Sequence, residues 1–281
     1  MSECTHNCET CGVGGCGDRK EPEAPSRLLK IKHKLLVLSG KGGVGKSTMA
    51  ASIAVSLAEA GFRTALLDVD FHGPTQPTLF NLRDCRLEAD DDGIIPADAA
   101  GVKLVSLGLL MADPDSAVIW RGPAKIGVLK QLFEEVNWGD GLDYLVLDFP
   151  PGTGDEVLSA CQTVPGDKKA VMITTPQEVS LADCRKCMDF CRQVGVPVLG
   201  IVENMSGFIC PSCGARHDLF SSGGGEDLAA IYGVPLLAQV PLDPGFLKKC
   251  DAGELPAGLK ASAGVSAEMA KIVESIRAAS A

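Results

Sequence analysis

Short unbroken apolar runs recur along this chain, separated by longer stretches in which apolar residues return every third or fourth position. The runs fall at residues 35–38, 65–68, 102–107, 144–148, 170–174, 198–202 and 236–240. The helical stretches fall at 46–60, 126–136, 155–161, 180–194, 225–232 and 262–278. A run that is apolar at consecutive positions has no polar face, which predicts strands covered on both sides and joined by right-handed helical crossovers. The alternation predicts an α/β fold with a doubly wound, mostly parallel sheet whose ligands gather at the carboxyl ends of the strands. Residues 1–25 show no such periodicity and are rich in Cys, Gly, Glu and Pro, so the chain divides into a Cys-rich tail, 1–25, and a domain, 26–281.

The first run leads into Ser39-Gly40-Lys41-Gly42-Gly43-Val44-Gly45-Lys46-Ser47-Thr48 and then into the first helical stretch. Strand, loop and helix in this order are the setting of a phosphate-binding loop. Its glycines let consecutive N–H groups close on phosphate oxygens, and the helix N-terminus adds partial positive charge. Lys46 is placed to reach the terminal phosphates, and Ser47 to offer its hydroxyl to Mg2+. The second run ends in Asp68-Val69-Asp70-Phe71-His72-Gly73-Pro74. Two carboxylates on one side of an extended chain can hold a metal-bound water and orient or deprotonate an attacking one, although the same residues also make a good turn. The fourth run ends in Asp148-Phe149-Pro150-Pro151-Gly152-Thr153-Gly154-Asp155. Asp148 is positioned as a direct or indirect Mg2+ carboxylate, and Gly152 or Gly154 to present an N–H to a γ-phosphate, while the prolines end the strand in any case. No Asn-Lys-x-Asp guanine signature follows, so ATP is the expected nucleotide.

Charge narrows the partners. With 26 Lys and Arg against 36 Asp and Glu, the net charge of -10 opposes binding to nucleic acid or to an anionic membrane. Glu88, Asp90, Asp91 and Asp92 read as a solvated loop. No apolar run reaches membrane-spanning length and the polar N-terminus lacks the apolar segment of a signal peptide, so a cytoplasmic location is expected. In that reducing setting the 12 cysteines read as free thiols, metal ligands or catalytic thiolates.

Cys210-Pro211-Ser212-Cys213 supplies two thiolates, whereas a closed zinc or 4Fe-4S site needs four. A second pair elsewhere in the chain, a redox disulfide, or the same pair from a second protomer would each resolve the shortfall. Cys4, Cys8, Cys11 and Cys16, spaced C-x3-C-x2-C-x4-C among glycines, are enough for one cubane or one zinc ion within a single chain. Cys184, Cys187 and Cys191 fall on one helical stripe and are expected to be small buried apolar residues. Cys85, Cys161, Cys250, His33, His72, His217 and Met205 are assigned no role.

Taken together, Gly40-Lys41-Gly42-Gly43-Val44-Gly45-Lys46-Ser47, Asp68-Val69-Asp70 with Gly73-Pro74, Asp148 to Asp155, and Glu203-Asn204-Met205-Ser206-Gly207-Phe208 followed by Cys210 and Cys213 resemble the Mrp/ApbC family of iron-sulfur cluster carrier ATPases. The resemblance spans about residues 33 to 250. It implies the deviant phosphate-loop class of MinD, ParA and the nitrogenase iron protein, in which the signature lysine, here Lys41, reaches a partner protomer's nucleotide. It also implies Asp70 as the water-activating residue and Asn204 among the nucleotide contacts. A labile 4Fe-4S cluster would be held between two protomers by Cys210 and Cys213, in a loop near 204–217. The cytosolic scaffold relatives carry an N-terminal four-cysteine motif, though their first cysteine lies further from the second, and here that motif implies a further cluster in each tail. The working form implied is a homodimer, or a heterodimer with a related ATPase, that passes clusters to apo-proteins. A MinD/ParA-like positioning ATPase and an electron-transfer ATPase like the nitrogenase iron protein are the alternatives.

Overall fold

In the computed structural model, residues 26–71, 73–111, 122–210 and 212–280 are described. After a 3-10 turn at Arg27–Lys30 comes β1 (His33–Ser39), whose apolar side chains alternate between two cores: Leu35 and Val37 enter one, Leu36 and Leu38 the other. That alternation explains why the run has no polar face. The first half of the domain continues with α1 (Lys46–Glu59), β2 (Thr64–Asp68), α2 (Gln76–Leu79), β3 (Ala89–Asp90), β4 (Gly93–Ile94), β5 (Ala97–Ala99), β6 (Val102–Ser106), α3 (Leu107–Leu110) and α4 (Gly122–Glu135). The second half runs β7 (Tyr144–Asp148), α5 (Asp155–Thr163), β8 (Lys168–Thr174), α6 (Glu178–Gln193), β9 (Val198–Ile209), β10 (Arg216–His217), α7 (Gly224–Tyr232), β11 (Leu236–Leu242), α8 (Pro244–Asp251), α9 (Leu255–Ala261) and α10 (Ala263–Ser280).

The main sheet has nine strands in the order β10-β9-β8-β1-β7-β2-β6-β5, with β11 paired to β9. Its pairs are parallel except for β5 on β6 and β10 on β9. The chain moves from β1 outward to β2 and β6, returns to insert β7 beside β1, and then continues on the other side of β1 with β8, β9 and β11. The sheet is therefore doubly wound, and the crevice expected of such a sheet opens at the carboxyl end of β1.

One face is covered by α1, α8, α9 and α10, through Met49, Ile53, Phe246, Leu255, Leu259, Met269 and Ile272. The other is covered by α4, α5, α6 and α7, through Leu132, Phe133, Val157, Leu181, Met188 and Leu228. Each such side chain contributes about 1.5–3 kcal/mol when fully buried, so both layers are needed to hold the sheet flat against solvent. Cys161, Cys184, Cys187 and Cys191 are buried in the second layer, and burial pushes the thiols of Cys161 and Cys184 up to about 12. They pack as neutral apolar groups, as the helical stripe suggests.

Three differences from the sequence reading have local causes. The run at 198–202 belongs to a longer strand, β9, whose continuation is hidden by buried polar residues: Glu203, Asn204 and Ser206 are all inside. Helices α8 and α9 carry short apolar stretches that periodicity does not resolve, yet Asp243 caps α8 by accepting from the N–H groups of Gly245 and Phe246, immediately before Pro244. The acidic stretch near Asp90 is exposed as expected, but folds into the small hairpin of β3 and β4.

Candidate functional site

Between β1 and α1 the chain is shaped by its glycines. A Cβ on Gly40 would lie 2.3 Å from the carbonyl carbon of Asp183 in α6, so only glycine lets the loop pass. Gly45 takes φ +82, and a Cβ there would meet Asn204 Nδ2 at 2.3 Å. Asn204 Nδ2 donates instead to the Val44 carbonyl at 2.9 Å, which fixes the loop against β9. Because Gly45 is the N-cap of α1 and no side chain caps that end, the first N–H groups of a 14-residue helix are left for an anion. A cleft of about 390 Å³ lies over them, lined by Lys41, Gly42, Gly43, Gly45, Lys46, Ser47, Thr48, Asp70, Gly73, Thr75 and Pro151 among others. Gly152, at φ +91, donates its N–H to the Ser39 carbonyl at 2.9 Å, so the turn after β7 is latched to the phosphate loop.

Beneath the cleft sits a buried charge cluster. Lys46 Nζ is paired with Asp148 Oδ1, lies 3.9 Å from Asp70 Oδ2, and donates to Ser47 Oγ at 3.2 Å. Asp148 is fully buried, and it also accepts from Gln76 Nε2 at 2.8 Å. Asp68, equally buried, accepts from Ser106 Oγ at 3.0 Å and from the Asp70 N–H at 3.1 Å. Burial and the neighbouring Asp148 push the Asp68 carboxyl up to about 8, against the pull of the Asp70 N–H and Lys46. Asp68 is therefore protonated near neutral pH. The carboxylates of Asp148 and Asp70 beside the Ser47 hydroxyl are a donor set that fits a hard divalent cation such as Mg2+. Asp68 and Asp70 are thus not equivalent: Asp70 lines the cleft, whereas Asp68 lies below it. Lys41 is half-buried at the cleft, and no described residue forms an ion pair with it.

Cys210 and Cys213 lie beyond the end of β9, in a hairpin closed by β10, where Ile209 pairs with Arg216 and Phe208 with His217. The Cys210 N–H donates to the Ala215 carbonyl at 2.9 Å, and the Gly214 N–H to the Cys210 carbonyl at 2.8 Å. Gly214 takes φ +71 to make that turn. The N–H groups of Ser212 and Cys213 point at the Cys210 sulfur and lower its pKa, which favours the thiolate that binds metals. Cys213 is exposed, as are Ile209 and Leu219 on either side. Among the described residues, no group of three or more His, Cys, Asp or Glu could hold a metal ion. The hairpin offers two thiols, half the ligands of a closed four-ligand site. Cys4, Cys8, Cys11 and Cys16 lie outside the described residues, as does His72.

Sequence reasoning missed Gln76 and Ser106, the two polar side chains that pack against the carboxylates. A glutamine before Pro77 in a Gly- and Pro-rich stretch carries no periodic signal for burial, and its position follows from the close pairing of β2 with β7.

A mostly parallel doubly wound sheet, an uncapped α1 behind a glycine loop, and a lysine set among strand-end carboxylates define the class of P-loop NTPases. Residues 30–277 match the ParA family in the form described as NUBPL iron-transfer P-loop NTPase, and the chain belongs to that family. It is 48% identical over 222 residues, 77% of this chain and 85% of the relative, to the cytosolic Fe-S cluster assembly factor Nubp2 homolog of Anopheles gambiae. It is 41% identical over 261 residues, 90% of each, to the iron-sulfur cluster carrier protein of Methanocaldococcus jannaschii. Among solved structures it resembles the nucleotide-binding protein of Archaeoglobus fulgidus in complex with ADP, with TM-score 0.72 and 39% identity over 82% of this chain and 90% of that one. The cell division ATPase MinD of Pyrococcus furiosus shares the fold, with TM-score 0.63 and 24% identity over 88% of this chain and 99% of that one.

Proposed function

We propose that this protein is an ATP-dependent iron-sulfur cluster carrier that assembles a labile 4Fe-4S cluster on Cys210 and Cys213 of two protomers and delivers it to apo-proteins. The observation that carries the reading is the half-site just past the end of β9, a strand that touches the phosphate loop through Asn204 midway along it. Two thiolates on an exposed hairpin, with apolar Ile209 and Leu219 beside them, suit a cluster shared across a two-fold axis. The relatives named as carriers or assembly factors stand at 41–48% identity, whereas the likeness to MinD is a likeness of fold. A positioning ATPase is accordingly not favoured.

In this reading the N–H groups of Gly42 to Lys46 bind the phosphates, with Gly40 and Val44 shaping the loop and Thr48 extending it into the helix. Lys46 compensates the phosphate charge. Ser47 and Asp148 hold Mg2+, which when bound neutralises charge on the β- and γ-phosphates. Asp70 orients the attacking water, Lys41 reaches the partner's nucleotide, and Asn204 is a nucleotide contact that holds Val44 while the nucleotide is away. Asp68 supports Asp70 from below through its N–H. The tail 1–25, with Cys4, Cys8, Cys11 and Cys16, binds one further cluster in each chain and precedes the ATPase domain 26–281. The partners are a second copy or a related ATPase, and apo iron-sulfur proteins, in the cytoplasm.

The test is anaerobic purification with iron, sulfide and zinc quantitation, followed by incubation with an apo-acceptor and ATP. Wild-type protein should activate the acceptor and lose iron as it does so, and a Cys210→Ala, Cys213→Ala variant should not. Zinc at the pair, or acceptor activation by the double variant, would refute the carrier reading. Reversible reduction without cluster loss would assign electron transfer instead.

A further inference from the structure

Gln76 is the residue whose position the reading above does not use. It is a neutral amide with no exposed surface, buried at the start of α2 between the phosphate loop and β7. Both of its amide hydrogens are spent on the candidate Mg2+ residues: Nε2 donates to the Ser47 carbonyl at 3.0 Å and to Asp148 Oδ2 at 2.8 Å. Its backbone N–H approaches Asp68 Oδ2 at 3.4 Å. With Nε2 committed to two acceptors the amide orientation is fixed, and Oε1 is then a buried acceptor with no partner among the described residues.

A buried carbonyl oxygen left without a donor is destabilising, and native chains rarely keep one unless a water, ion or ligand supplies the donor. The groups that Gln76 already holds narrow the choice of ligand, because Ser47 and Asp148 are the residues that fit a hard divalent cation, and such a cation keeps several waters. We infer that Gln76 is a positioning residue for the metal. Its N–H groups lock Ser47 and Asp148 into one arrangement, and its Oε1 accepts a hydrogen bond from water brought in by the hydrated ion. The inference rests on the nucleotide-binding reading and deepens it.

The two fail separately in a calorimetric titration of the full-length chain with ADP, performed once with Mg2+ and once with EDTA. Gln76→Met keeps length and volume while removing both side-chain hydrogen bonds and the Oε1 acceptor. It should bind ADP in EDTA within about twofold of wild type, and should lose about tenfold of the tightening that Mg2+ gives wild type, the size expected of one hydrogen bond to a charged group. Mn2+ binding to the ADP complex, read by electron paramagnetic resonance, should weaken in parallel. With Ser47→Ala the loss should be non-additive, because both substitutions act on one metal site. Equal losses with and without metal would make Gln76 a packing residue of the loop, and unchanged metal dependence would remove it from the site. Should Gln76→Met not fold, Gln76→Asn, which keeps the amide but falls short of Asp148, should show the same metal-selective loss. No ADP binding by wild type in either condition would instead overturn the nucleotide reading.

Discussion

The middle of β9 and the hairpin beyond its end solve the problem of binding in opposite ways. At Asn204 the strand faces the phosphate loop, above a site where Lys46, Asp148, Asp68 and Gln76 are buried and bonded to one another except at the Gln76 Oε1 that a ligand would complete. At Cys210 the same strand runs out into an exposed hairpin that offers two sulfurs and nothing else among the described residues. Between them Met205 takes φ 58 and Gly207 φ 76, so the strand turns out of the regular ladder after contacting the loop and before reaching the cysteines. Glu203, buried and accepting from Ser206 Oγ at 2.7 Å, the Gly225 N–H at 2.6 Å and Gln239 Nε2 at 3.1 Å, anchors the inner half. The contrast teaches that retention needs a closed, preorganised donor set, while release needs one that is completed only by assembly.

The largest effect should come from breaking the closed end. Lys46→Ala removes the cation that faces Asp148 and Asp70, so nucleotide binding should fall below detection by calorimetry. Chemical denaturation should show a loss of about 3–5 kcal/mol, the usual consequence of stranding a buried charge. In contrast, changing Cys210 and Cys213 to Ala should alter stability by no more than about 0.5 kcal/mol, since the hairpin contributes little buried surface.

Lys41→Ala sharpens the comparison, because Lys41 belongs to the loop in sequence but in the proposed function reaches the partner's nucleotide. Its ADP affinity should stay close to wild type while steady-state ATP turnover falls by about a thousandfold. Matching losses of affinity in the Lys41 and Lys46 variants would contradict that division. Asp70→Asn should keep Mg-ATP binding and lower turnover by about a hundredfold, because an amide orients water but does not accept its proton. Turnover near wild type would remove Asp70 from the catalytic set.

The smallest effect concerns Asp68. Its carboxyl titrates at about 8 in the folded chain, above the ordinary value of 3.8, so the folded state holds the proton more tightly than the unfolded state. Stability contributed by that proton is complete below pH 3.8 and is lost as pH rises towards about 8. Asp68→Asn should flatten the decline of melting temperature between pH 5 and pH 8, whereas an unchanged slope would place the titration elsewhere.

Much of this architecture is legible in the chain. Consecutive apolar positions predict β2 and β7 because both strands are buried at every residue, and the glycine spacing predicts the loop because Gly40 and Gly45 meet obstacles that no side chain could share. The buried polar residues are not legible. Gln76 and Ser106 are inside only because β2, β6 and β7 bring Asp68 and Asp148 together, and β9 is longer than its apolar run because Glu203 and Asn204 find partners from other elements and Ser206 donates to Glu203. Cys184, Cys187 and Cys191 show the reverse, a chemically suggestive spacing that packing alone explains.

The central claim is that the hairpin holds half of a shared site, and native mass spectrometry of anaerobically reconstituted protein tests it most directly. Wild type should show a dimer heavier by one 4Fe-4S cluster than the Cys210→Ala, Cys213→Ala variant, with any cluster in the N-terminal tails common to both. That additional cluster should disappear whenever the dimer dissociates. A monomer that keeps a cluster dependent on Cys210 and Cys213, or a mass increment at these cysteines matching zinc, would contradict the account.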